Sequence, residues 1–242
     1  MITDPFGNGM TPTQRDIEDA RTRIQDSVNL TSCAPSNMFE DQLPCTLAFK
    51  FENLQRTGSF KARGAGNKLL QLTDSERSRG IVTASAGNHA QAVAYHAARL
   101  SIPATVVMPV TTPLIKVTNT RRHGAKIALS GNSLSEAMIE AWRLEAEEGL
   151  VMVHPYDDEA VIAGPGTIAL EILEQCPGVT HAIVPVGGGG VISGVALGLK
   201  SHDHSIKVLG VEAAAAPSAR LSREQGHSST QRAVRRSPTE SP

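Results

Sequence analysis

Aromatic side chains are scarce in this chain, at 3% of its residues, and that excludes a stacking platform for nucleic-acid bases. Charge of one sign is missing too. The formal net charge is −1, so nothing favours nucleic acid or an acidic surface as a partner. There are three cysteines, Cys33, Cys45 and Cys176. The number is odd and no pair has metal-site spacing, which argues against a disulfide framework or a zinc site. Cys33, in "SCAPSN", reads as an ordinary small thiol. No apolar run approaches the ~18 residues that a membrane span needs. The opening "MITDPFGNGM" lacks the basic start and apolar stretch of a signal peptide, so a cytoplasmic location is expected.

What is present is an alternation. The 242 residues, 40% of them apolar, suffice for one large domain or two small ones. Short β-prone runs read as strands at 46–52, 80–85, 104–109, 125–130, 181–186 and 206–212. Helical patterns lie between them at 58–72, 88–100, 112–124, 133–149 and 191–201. Strands joined by helices of this length are parallel, with right-handed crossovers, and the class is α/β. From Pro217 onward the only strongly apolar residues are Leu221 and Val234, among five arginines, so 217–242 is expected to be a disordered tail.

Ligands of open α/β sheets sit beyond the carboxyl ends of the strands, and three such places stand out. In "VPVGGGGVISG" a strand runs into four glycines, Gly187 to Gly190, and then a helix. Backbone N–H groups free of Cβ interference, at a helix N-terminus, make an anion site suited to phosphate. The loose spacing of Gly188, Gly190 and Gly194, with Glu212 a strand later, leaves a nucleotide-binding reading open. In "TASAGNHAQAVA", Ser85, Ala86, Gly87, Asn88 and His89 join a strand to a helix, with Ser85 a natural N-cap. Small residues and free N–H groups there suit a carboxylate. The third place is "ENLQRTGSFKARGA", which sets Lys61 directly behind Phe60. A lysine held near a phosphate cradle can form a Schiff base with a carbonyl cofactor such as pyridoxal phosphate.

These three motifs, in this order, closely resemble the serine/threonine dehydratase family, as does "YDDEAVIAGPGTIALEI" at 156–172. The resemblance runs from about residue 15 to about residue 226. It implies the tryptophan-synthase-β-like fold of pyridoxal-phosphate enzymes, with two open parallel-sheet α/β domains and the cofactor between them. The larger would comprise 1–72 and 151–216, and the smaller 73–150. It also implies conversion of threonine or serine to a 2-oxo acid and ammonia, and a place in isoleucine biosynthesis. Lys61 would carry the cofactor and take the Cα proton, with Phe60 packed on the pyridine ring. Asn88 would bind the ring hydroxyl, Gly187, Gly188, Gly189 and Gly190 the phosphate, and Ser85 to His89 the substrate carboxylate. Glu212 would be a candidate cation ligand, and a homo-oligomer is expected. Racemases of the family resemble "SSGNH"; Ala86 stands where they have a second serine and cannot exchange a proton, which favours dehydration.

Two departures accompany the resemblance. After "SREQGH" it dissolves, so the large domain is expected to be incomplete, truncated or frameshifted, and the activity impaired. Gly66 stands where the family has a larger apolar residue. An inactive remnant pairing with a full-length subunit and a serine racemase-like enzyme remain the alternatives.

Overall fold

The structure is a computed structural model that describes residues 11–39 and 41–226. Its centre is a four-stranded parallel sheet of order β5-β4-β3-β6, formed by Ile81–Ala84 (β3), Ala104–Met108 (β4), Lys126–Leu129 (β5) and Val151–Met152 (β6). β3 is buried along its whole length because both of its faces are covered, which is why "IVTA" reads as a continuous apolar run. Ile81 packs against Ala65 and Leu69 of helix α2 (Lys61–Leu70) and Ala92 and Val93 of α4 (Asn88–Arg99). Val82 and Ala84 point the other way, onto Ala137, Ala141 and Leu144 of α6 (Leu134–Glu148). The short α3 (Asp74–Arg79) leads into β3, and α5 (Leu114–Arg121) links β4 to β5.

A second parallel pair, His181–Pro185 (β7) and Lys207–Val211 (β8), rests on α7 (Glu159–Gln175) and α8 (Gly190–His202) through Ala182, Val184, Ile168 and Val195. Helix α1 (Gln14–Ile24) packs Ile17 and Ala20 against Ala163 of α7. Helices α2 and α7 cross where Gly64 faces Gly164. A Cβ on Gly164 would stand 2.5 Å from the Arg63 carbonyl oxygen, so only glycine lets the two backbones meet there. The crossing lies three residues after Lys61, the first residue of α2.

The α/β class and the parallel sheets stand as expected; several local expectations do not. The strand expected at 46–52 is only Ala48–Lys50 (β2), and it pairs antiparallel with Cys33–Pro35 (β1), so this corner is a hairpin rather than a crossover unit. The helix expected from residue 58 starts three residues later, because Gly58 turns the chain with φ +72°. The tail expected to be disordered from 217 begins with a helix, α9 (Ser218–Gln225); the rest of that expectation lies outside the described residues. Among the described residues no helix is long and apolar enough to cross a membrane.

Candidate active site

Lys61 is the first residue of α2, and Phe60 is its N-cap. The turn before it is closed by main-chain bonds from Ala62 N to Ser59 O (3.3 Å) and from Arg63 N to Phe60 O (3.0 Å). Lys61 Nζ donates to the Pro155 carbonyl and lies 5.2 Å from the centre of the Phe60 ring. Phe60, Lys61, Pro155, Tyr156, Pro165 and Gly190 line one narrow cleft. Burial disfavours the ammonium form and lowers the Lys61 pKa to about 8. At pH 7 about a tenth of such a lysine is the free amine, roughly 300-fold more than for an ordinary one.

Of the glycine loop, Gly190 reaches the cleft. Gly189 caps α8 in the left-handed region, with φ +89°. The first main-chain bond of that helix, Ser193 N to Gly189 O at 3.0 Å, leaves the N–H groups of residues 190–192 without intrahelical partners. Gly187 and Gly189 face open space, whereas a Cβ on Gly188 would run into the Tyr156 ring.

The loop after β3 approaches Lys61 from another side. His89 is buried, and its pKa falls to about 3, through burial first and then the Lys61 charge, so the ring is neutral. Its Nε2 lies 3.1 Å from the Val153 carbonyl and must carry the proton to bond there; buried Nδ1 is then an acceptor with no partner among the described residues. An acceptor cannot bind a carboxylate, so what this loop offers an acid is backbone: the N–H groups of residues 88–90, ahead of the Gln91 N to Gly87 O bond. Gly87, not Ser85, is the N-cap of α4; the Ser85 hydroxyl accepts instead from Gly87 N at 3.3 Å. Ala86 is half-buried, and Asn88 is exposed. Ser85 to Asn88 and Gly187 to Gly189 do not line the cleft around Lys61.

Residues 24–240 match the family described as pyridoxal-phosphate dependent enzymes. The chain is 48% identical over 214 residues to an L-threonine ammonia-lyase of Thermotoga maritima, covering 88% of this chain and 53% of that protein. Among solved structures, maize serine racemase superposes with a TM-score of 0.88 at 38% identity, covering 92% of this chain and 68% of that one. The processed form of threonine deaminase isoform 2 from Solanum lycopersicum does so at 0.85 and 38%, covering 90% and 62%. The chain belongs to the pyridoxal-phosphate-dependent enzyme family. It spans about half the length of the curated relatives it matches.

The residues present fit the cofactor of this family. An open glycine loop at a helix N-terminus suits its phosphate, and a buried lysine of lowered pKa suits its aldehyde. Glu212 is otherwise engaged. Its carboxylate accepts from Ala219 N (2.8 Å), Arg220 N (3.1 Å) and Ser218 Oγ (3.4 Å), capping α9. No cluster of His, Cys, Asp or Glu that could hold a metal ion occurs among the described residues.

Sequence reasoning missed two contributors. Tyr156 packs on the glycine loop, and only its place in the 156–172 motif hinted at a role. Arg63, fully buried two residues after Lys61, donates to Glu52 (2.8 Å) and to Glu171 (2.6 and 2.9 Å). Burial opposes its charge, but the two carboxylates more than offset that and raise its pKa. Glu171 also takes a 2.5 Å bond from Lys50, so this network ties α2, α7 and the β1–β2 hairpin together behind the lysine.

Proposed function

We propose that the chain is built for α,β-elimination of a β-hydroxy amino acid, converting L-threonine, or L-serine, to a 2-oxo acid and ammonia. The observation that carries this reading is the buried Lys61 amine of lowered pKa, sharing one cleft with Gly190, the last glycine of the loop. In this reading the N–H groups of Gly187 to Gly190 hold the phosphate of pyridoxal phosphate, Phe60 flanks its ring and Asn88 bonds its ring hydroxyl. When bound, the cofactor supplies the electron sink for the charge left on Cα. Lys61 Nζ, as the neutral amine, accepts the Cα proton. The backbone of residues 85–89 orients the substrate carboxylate. Ala86 offers no proton to the opposite face of Cα, which supports elimination over racemisation. Strands β3 to β5 would form the core of a small domain at 73–150, with 1–72 and 151–216, β6 included, as the large domain. A soluble homo-oligomer working in the cytoplasm is part of the same proposal.

The test is to add pyridoxal phosphate to the purified chain, follow its visible absorption band, and assay 2-oxobutanoate formed from L-threonine. The expected band disappears in Lys61→Ala, and its rate of formation rises with pH around a midpoint near 8. A folded chain that gives no band, or one that yields D-serine from L-serine without 2-oxo acid, would overturn the reading.

A further inference from the structure

The fold brings together two thiols that lie 143 residues apart. Cys33 opens β1, Cys176 is the C-cap of α7, and their sulfur atoms stand 3.0 Å apart. Both are free and half-buried, whereas Cys45 is free and exposed. Neighbours hold the pair in place. Cys33 lies opposite Lys50 in the hairpin register, and Lys50 Nζ reaches Glu171 (2.5 Å) and Gln175 (3.1 Å) in the last turns of α7. Gln175 Nε2 in turn donates to the Thr31 carbonyl at 3.1 Å. Neither thiol serves the cleft around Lys61, which meets α7 near its other end, at Val161 and Pro165.

We propose that Cys33 and Cys176 are an oxidisable dithiol, at which a hydroperoxide closes a disulfide between β1 and the C-terminus of α7. A disulfide holds its sulfurs about 2.05 Å apart, so closure needs an approach of about 1 Å. One residue is a strand end and the other a helix cap, so side-chain rotation with a small adjustment of the cap supplies it. The chemistry balances. The first sulfur attacks the O–O bond and becomes a sulfenic acid while an alcohol, or water from hydrogen peroxide, departs. The second sulfur displaces the sulfenic hydroxyl, which leaves as water with the remaining thiol proton, and the S–S bond forms. The thiol pair is oxidised by two electrons and the peroxide is reduced by two. Burial first, and then Cys176, push the Cys33 thiol up to about 11, so at neutral pH that proton is still on Cys33 when the reaction begins.

The experiment treats the purified chain with hydrogen peroxide, alkylates the remaining thiols, and maps unreduced peptides by mass spectrometry. The expected product is a cross-linked pair of peptides bearing Cys33 and Cys176, lighter by two hydrogens and split by dithiothreitol, with Cys45 alkylated. It should persist in Cys45→Ser and vanish in Cys33→Ser and in Cys176→Ser. Because Cys45→Ser alters an exposed residue, that variant keeps the test independent of folding. Predominant cross-links through Cys45 would overturn the proposal. So would recovery of Cys33 and Cys176 singly alkylated, or singly over-oxidised, from the Cys45→Ser chain.

Discussion

Gly66 is out of place by helix propensity and in place by packing. A glycine inside α2 costs about 1 kcal/mol relative to alanine. The His96 ring of α4 fills the space beside it: a Cβ on Gly66 would stand 2.9 Å from His96 Cε1, and His96 is itself buried at 1% exposure. Gly66→Ala therefore loses more by overpacking, about 1–3 kcal/mol, than it gains in propensity. The urea midpoint of the variant should fall, and the loss should shrink when Gly66→Ala is made in a His96→Ala background. An unchanged or higher midpoint in the single variant would show that the ring yields freely. The motif around Lys61 was legible because its chemistry is local: Phe60, Lys61 and the turn before them are consecutive. Arg63 and its partner Glu52 sat in the same run, yet the role was hidden, because only the fold brings the two together and adds Glu171 from α7.

At the scale of elements, helix boundaries were legible where a cap is written within a few residues. Thr13 and Asp16 form a capping box at α1, and Thr73 and Glu76 form another at α3; neither helix was among those expected, although both signals stand in the sequence. The start of α9 was not, because Glu212 caps it from the end of a strand rather than from the helix's own first turn. Nor was α7, whose internal Pro165 argues against a helix. Helix α7 is secured at its start by Asp158, which accepts from Val161 N at 3.0 Å and pairs with Lys68 of α2 at 2.6 Å. Asp158→Ala removes both interactions and should cost about 1–2 kcal/mol. Asp158→Asn keeps the cap and loses only the charge of a partly exposed pair, so its cost should stay below about 1 kcal/mol. Equal losses of denaturation midpoint in the two variants would mean that the ion pair, not the cap, secures this end of α7.

For the whole molecule, the buried neutral histidines set how stability responds to acid. His89 and His96, both in α4, have pKa values lowered by burial from the ordinary 6.5 to about 3 and about 4. Between pH 6.5 and 4 the unfolded chain takes up two protons that the folded chain refuses. Stability therefore falls as pH falls through that window, by up to about 1.4 kcal/mol per pH unit for each histidine. Over the whole interval this amounts to several kcal/mol, comparable with the total stability of an ordinary domain. Lys61 acts elsewhere. Its pKa is lowered from 10.5 to about 8, so its burial penalty is fully present below pH 8 and is relieved only as pH rises toward 10.5. The chain should accordingly acid-unfold between about pH 6 and pH 4, before the carboxyls of Asp16, Glu76 and Glu212, held low by the hydrogen bonds they accept, are protonated. His96→Gln removes one titrating group and should roughly halve the slope of stability against pH in that window, whatever it does to stability at pH 7. Urea midpoints measured at intervals from pH 4 to 7 test this directly. A profile that is flat across the window, or a slope unaltered by His96→Gln, would show that water reaches these rings and that the α2–α4 core is looser than its packing implies.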